Sequence, residues 1–192
     1  KKLYDEGFRM MSLQHFFDNR LGGSLHGQSK QGLTSFGRKV IEELNSQSII
    51  IDVSHSSPQV VRDVLSISAS PIVVSHTGLH GFCPSARNIS DTLMKKIAAK
   101  GGIIALGYWS AAACDTSPQQ IAKQIAYGIK LVGPQHISLG SDFDGAVTTE
   151  IDTSELATIT QELLKLEVSR EDIKRVMGEN MKRFLLKQLP EK

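Results

Sequence analysis

The strongest constraint on this chain is a repeated order: a short run of aliphatic and β-branched residues, then an amphipathic stretch of helical period, several times over. Residues 49–53 (Ile-Ile-Ile-Asp-Val), 71–75 (Pro-Ile-Val-Val-Ser), 102–108 (Gly-Ile-Ile-Ala-Leu-Gly-Tyr) and 136–140 (His-Ile-Ser-Leu-Gly) read as strands, with 8–14 (Phe-Arg-Met-Met-Ser-Leu-Gln) a weaker candidate. The apolar runs are near-continuous rather than alternating, which fits strands covered on both faces. Helical patterns lie between them. After Ser35, residues Phe36, Val40, Ile41 and Leu44 fall on one face. Ser57-Pro58 is an N-cap followed by proline at the first helical position, and Ser117-Pro118 repeats the device before Ile121, Ile125 and Ile129. Ser90 caps a helix with Leu93, Met94 and Ile97 that ends at Lys100-Gly101, and Gly133-Pro134 stops the one after it. Two or three further helical segments finish the chain, one of them opening at Ser169 with Asp172 in capping-box-like spacing. Strand–helix–strand alternation with right-handed crossovers gives an α/β protein with a parallel sheet, either open or closed into a barrel.

Composition narrows the class further. With 40% hydrophobic and 22% charged residues over 192 positions, the chain is a globular protein of one domain or two small ones rather than a disordered segment. Lys plus Arg is 22 against 20 Asp plus Glu, a net +2 that argues against a broad nucleic-acid-binding surface. No apolar run reaches the roughly 20 residues needed to span a bilayer. The opening Lys1-Lys2-Leu3-Tyr4-Asp5-Glu6 has no signal-peptide core, and Leu189-Pro190-Glu191-Lys192 has no hydrophobic anchor tail. A soluble periplasmic, secreted or cytoplasmic protein fits these features equally.

Function is indicated by the residues at the end of each strand. Residues 8–14 lead into His15, residues 49–53 into Ser54-His55, residues 71–75 into His76, and residues 136–140 into Ser141-Asp142-Phe143-Asp144-Gly145. In a parallel α/β sheet or barrel all strand C-termini share one face, where ligands bind, so these side chains converge there. Neutral imidazole is the commonest metal ligand, and neighbouring strands about 4.8 Å apart let two strand-end histidines share one ion. His55 and His76 are therefore the best metal-ligand pair, the plainer alternative being histidines that cap strands through backbone carbonyls. His136 starts its strand and belongs on the opposite face, while His26 and His80 read as ordinary loop histidines. Asp142 and Asp144 flank Phe143, and Asp142, nearer the strand end, is the better proton carrier beside a metal. The alternative for this Asp pair is a turn or helix cap. Arg87, in Pro84-Ser85-Ala86-Arg87-Asn88, could clamp a carboxylate bidentately or could be a solvated loop arginine.

In order and spacing, Leu33-Thr34-Ser35-Phe36-Gly37, Ile51-Asp52-Val53-Ser54-His55, Val74-Ser75-His76, Cys83-Pro84-Ser85-Ala86-Arg87-Asn88 with Asp91, Gly140-Ser141-Asp142-Phe143-Asp144-Gly145 and the late Glu179-Asn180 resemble the membrane (renal) dipeptidase family of zinc metallopeptidases. The likeness runs from about residue 3 to about residue 186. Each segment alone is weakly specific; together they are strongly so. The resemblance implies a (β/α)8 barrel of TIM type with a binuclear zinc site and hydrolysis of dipeptides to free amino acids. It implies that His55 and His76 ligate one zinc, that His15 polarises the scissile carbonyl, that Arg87 lies near the substrate's carbonyl or carboxylate, and that Asp142 is the acid/base beside a metal-bound hydroxide. Substrate contacts would thus come from His15, Arg87 and Asp142.

The chain departs from the family pattern in two places. No His-x-Asp occurs anywhere in it, and no glutamate stands where the family's metal-bridging one is expected, Glu6 being too late in the pattern. Of the two zinc ions of the complete site, only the histidine ligands of one are represented. About three of the eight strands are missing as well. The expectation is that residues 1–192 are the C-terminal part of a single metal-dependent dipeptidase barrel, covering about its last five strand–helix units. The missing N-terminal portion would be its first partner, and a homodimer is a further expectation, since family members often form one. An open five-strand sector would also expose hydrophobic strand edges. Cys83 and Cys114 fall in loops that the barrel makes neighbours, and animal members of the family carry a bridge at matching positions; a disulfide and two reduced thiols are both open here. Two other functions compete with dipeptide hydrolysis: another metal-dependent amidohydrolase acting on a cyclic amide or acyl group, and a truncated, inactive chain with a structural role.

Overall fold

The computed structural model describes residues 1–190; Glu191 and Lys192, the end of the segment read above as lacking an anchor tail, lie outside the described residues. In chain order the elements are α1 (Lys2–Asp5), β1 (Met10–Ser12), α2 (Ser35–Ser46), β2 (Ile50–Asp52), α3 (Pro58–Ile67), β3 (Val73–Thr77), α4 (Asp91–Ala99), β4 (Ile103–Leu106), α5 (Ser110–Ala113), α6 (Pro118–Val132), β5 (Ile137–Leu139), α7 (Ala157–Lys165), α8 (Arg170–Lys174) and α9 (Asn180–Gln188). All five strands are parallel, and their spatial order is their sequence order, β1-β2-β3-β4-β5. A doubly wound sheet reverses its order at a switch point and carries helices on both faces. An unreversed order with right-handed crossovers keeps every crossover helix on one face, which is the arc of a (β/α) barrel.

Side-chain alternation divides the two faces of that arc. Ile49, Ile51 and Val53 turn outward into the main core with Ile41, Val64, Met94, Ile97, Ile121 and Ile125 of the helices. Ile50, Val73 and Ile103, each the first residue of its strand, turn the other way and are covered by Phe184, Met181, Leu185 and Leu189 of the last helix and its end. The helix α9 thus closes the floor of the arc. Its first residue, Asn180, is buried and donates from Nδ2 to the carbonyls of Pro134 (2.6 Å) and Ile137 (2.7 Å), pinning the start of β5. The opposite, C-terminal end of the strands carries polar residues. At the exposed edge, β1 leaves Met10 42% and neighbouring Phe8 55% accessible. Among the described residues no helix is long and apolar enough to cross a membrane.

Three of the four serine caps read from the sequence form as hydrogen bonds: Ser57 Oγ accepts from Val60 N, Ser117 Oγ from Gln120 N, and Ser169 Oγ from Asp172 N, whereas Ser90 stands at the N-cap of α4 without a side-chain cap hydrogen bond. Three local features differ from the sequence expectation. In α2, which Thr34 caps by accepting from Gly37 N, Phe36 is turned outward rather than into the core. The single turn α5 follows β4 where a loop was expected. Strand β3 runs to Thr77, so His76 lies within it, and the β3–β4 register shifts between Val74 and Thr77. Such a bulge re-aims side chains near a site. Here it brings Ser75 Oγ and His76 Nδ1 within 2.9 Å of each other, where a regular strand would set them on opposite faces.

Cys83 and Cys114 are bonded, with Cα atoms 5.4 Å apart, tying the loop after β3 to the end of α5. Asn88 crosses the same gap, donating from Nδ2 to the carbonyls of Cys83 and Ala112, both at 2.9 Å. Cross-linking positions 31 apart removes about 3–4 kcal/mol of chain entropy from the unfolded state. The double substitution Cys83→Ala/Cys114→Ala is expected to lower unfolding free energy by about that much, read as a shift in the urea midpoint with an unchanged slope.

Candidate functional site

The C-terminal ends of the strands open into a cleft of about 660 Å³ whose wall includes His15, Asp52, His55, His76, Asp142 and Asp144. His55 comes directly after β2. Asp52 Oδ1 accepts from Ser54 N at 2.9 Å, turning the chain, and His55 adopts a left-handed backbone with φ +63°. Its ring is buried, and its Nε2 stands 2.8 Å from His76 Nε2. The other nitrogen of each ring is also engaged: His55 Nδ1 with His26 Nε2 at 3.2 Å, and His76 Nδ1 with Ser75 Oγ. His15 is exposed with its ring centroid 4.7 Å from that of His55, and Phe16 packs against it at 4.3 Å.

Burial dominates the electrostatics. It depresses His55 to about 3, with the Arg87 charge acting in the same direction. His76 is lowered by the same two causes, while Asp142, Asp52 and Asp144 pull it back upward. Both rings are therefore neutral at physiological pH, the protonation state in which imidazole ligates metals. Arg87 is buried, donates from Nη2 to the carbonyl of His76 at 3.0 Å, and has its guanidinium carbon 5.3 Å from the centre of the Trp109 ring. Desolvation lowers its pKa to about 10, so it stays cationic near neutrality. A solvated loop arginine is thereby excluded.

Strand β5 stops at Leu139, and the chain turns over residues 143–146. Asp142 takes φ +57°, and its carbonyl accepts from Gly145 N at 2.8 Å. A Cβ at Gly145 would come within 2.2 Å of Asp142 Oδ1, so glycine there is what lets the carboxylate lie back against the turn. Asp144, two residues on, lines the same cleft as Asp142.

The structure thus gathers His15, His55, His76 and Asp142 in one cleft, with Arg87 held behind His76. His136 faces the other end, its Nδ1 2.9 Å from the carbonyl of Gly102, and His80 is an exposed loop residue beside Ser85. His26 is not the ordinary loop histidine expected from the sequence, because its ring meets His55. Its loop is sewn to the site: Ser24 Oγ donates to the carbonyl of His55 at 3.2 Å, and Leu25 N donates to the same carbonyl at 2.7 Å. The glycine pair Gly22-Gly23 beside Ser24 was the available signal of a tight return at this point. Asp52 and Ser75 carried no site role in the sequence pattern, and Asp144 was the less favoured of the aspartate pair.

Two neutral imidazoles facing each other through Nε2 at 2.8 Å require a proton or a cation between them. That donor set suits a zinc ion. Two histidines alone leave its coordination open, and no group of three or more His, Cys, Asp or Glu placed to hold a metal occurs among the described residues.

Residues 1–189 match the model of the membrane dipeptidase family, peptidase family M19. Dipeptidase aclJ of Aspergillus oryzae is 32% identical over 195 residues, covering 96% of this chain and 46% of that protein, so the chain spans about half the length of this curated relative. The fold superposes on the crystal structure of the probable dipeptidase PvdM from Pseudomonas aeruginosa with a TM-score of 0.88 at 23% identity, covering 95% of this chain and 63% of that one. It also superposes on a metallo peptidase from Rhodobacter sphaeroides liganded with a phosphinate mimic of the dipeptide L-Ala-D-Ala, with a TM-score of 0.85 at 23% identity, covering 98% of this chain and 58% of that one.

Proposed function

Because this chain belongs to the membrane dipeptidase family, peptidase family M19, we propose that it forms the C-terminal part of a single-barrel, zinc-dependent dipeptidase that hydrolyses dipeptides to free amino acids. The observation that carries this reading is the meeting of His55 Nε2 and His76 Nε2 at 2.8 Å in a cleft whose wall also carries a carboxylate and an exposed histidine.

In this reading His55 and His76 would hold zinc, which when bound supplies Lewis-acid polarisation of a carbonyl and of water. The remaining ligands would have to come from outside residues 1–190, since no group of three or more His, Cys, Asp or Glu placed to hold a metal occurs among the described residues. His15 donates a hydrogen bond where negative charge develops on the scissile carbonyl oxygen. Asp142 accepts a proton from the attacking water and returns it to the leaving amine. Arg87, fixed by the His76 carbonyl and the Trp109 ring, contributes positive potential toward the substrate's carbonyl or terminal carboxylate. A cleft of about 660 Å³ is of the size that takes a small ligand.

The test is metal analysis of the purified full-length protein together with hydrolysis of Gly-Leu, of L,D-dipeptides and of N-acyl amino acids. Zinc with preference for dipeptides is the expected result. Preference for N-acyl amino acids points to a different amidohydrolase, and absence of both metal and hydrolysis points to a structural role.

A further inference from the structure

The proton inventory around His76 is more constrained than ligation requires. Asp52 is buried at the end of β2, and three donors surround its carboxylate: Ser54 N at 2.9 Å and Ser75 N at 3.1 Å on Oδ1, and the Ser75 hydroxyl at 2.6 Å on Oδ2. Ser75 Oγ has one proton, and the carboxylate takes it. Toward His76 Nδ1, 2.9 Å away, the same oxygen can then only accept. Ser54 completes the set: its Oγ accepts from His76 N at 3.2 Å and lies 3.1 Å from Ser75 Oγ, to which it donates. Each hydroxyl proton in this chain has one destination.

We propose that Asp52 is a positioning residue which, through the Ser75 hydroxyl, holds His76 as its Nδ1–H tautomer, so that Nε2 presents a lone pair to the point it shares with His55. The inference deepens the zinc reading above and rests on it for its purpose, though not for its geometry. Ligating histidines are commonly oriented through their second nitrogen, and loss of such a partner costs about 10–100-fold in metal affinity. The bulge in β3 is what makes the relay available, since it lets Ser75 and His76 meet although adjacent in a strand.

The relay predicts an order of effects that lost packing would not produce. In Asp52→Asn the shape is kept, but the side-chain amide turns its NH2 to Ser75 Oγ while its oxygen keeps the two backbone donors. The Ser75 proton is then released toward His76 Nδ1, and the ring is driven to the Nε2–H tautomer, which cannot ligate. Ser75→Ala removes the preference without reversing it, and Ser75→Thr keeps the hydroxyl.

The experiment measures zinc affinity of the full-length protein by competition with a chromogenic chelator, alongside 15N shifts of the His76 imidazole in metal-free samples and a thermal melt of each variant. Asp52→Asn is expected to weaken zinc about 100-fold and Ser75→Ala about 10-fold, with Ser75→Thr within about threefold of the parent. The His76 shifts should report Nδ1–H in the parent and Nε2–H in Asp52→Asn. A folded Asp52→Asn protein with parental affinity, or Ser75→Thr as weak as Ser75→Ala, overturns the relay. If the parent itself binds no zinc, the functional reading fails while the nitrogen shifts still decide the tautomer: Nδ1–H upholds the relay and Nε2–H sinks it.

Discussion

Replacing either His55 or His76 with alanine is expected to remove zinc from the full-length protein and to lower kcat/KM for dipeptides by about a thousandfold or more. The size follows from the chemistry: Lewis-acid stabilisation of developing charge is worth several kcal/mol, and each 1.36 kcal/mol is tenfold in rate. The two rings act as one unit, since their Nε2 atoms point at a common position 2.8 Å across. The double variant should therefore be little worse than either single one. At position 55 the left-handed backbone (φ +63°) strains alanine as well as histidine, so His55→Gly separates loss of the ligand from distortion of the turn. Atomic absorption and steady-state kinetics on the same preparations check the expectation. Parental zinc content and rate in His55→Gly would remove the histidine pair from the mechanism.

The second large effect is expected at Asp142. Asp142→Asn keeps the size and tolerates the left-handed backbone at this position (φ +57°), so the turn closed by Gly145 N persists. What it removes is a group that can take and return a proton, a contribution of about 10²–10⁴ in rate. The loss should fall on kcat with KM and zinc content nearly unchanged. Asp144 lines the same cleft but is exposed, and Asp144→Asn is expected to cost less than about tenfold. Equal effects of the two substitutions would mean that the turn contributes only negative potential toward His76 and no proton transfer.

Much of the fold was legible because it depends on local chemistry. Ser57-Pro58 and Ser117-Pro118 cap helices whose buried faces follow directly, and the run Ile49–Val53 needs only alternation to send Ile51 outward and Ile50 to the floor. The placement of His15, His55 and His76 near one another followed from a single rule about strand C-termini in parallel sheets. The features that were not legible depend on departures from regularity or on contacts distant in sequence. The bulge in β3 carries His76 inside a strand that the sequence pattern ends at Ser75. His26 meets His55 across 29 positions through a loop with no periodicity to read. Phe36 follows Ser35 at helical spacing with Val40 but lies beside the stripe Gly37, Ile41 and Leu44 that α2 buries, so its ring stays exposed.

The left-handed backbone at His55 also bears on how this chain would change under relaxed selection. A non-glycine residue in that conformation costs about 1–2 kcal/mol, which glycine would recover. At position 55 the backbone therefore favours glycine while the buried ring opposes it, whereas His76, in extended strand geometry, meets no such backbone pull. Once the partners of that ring are gone, the first histidine has a backbone reason to give way that the second lacks. A glycine just past the second strand would then mark a chain under such relaxed selection even where every other motif survives.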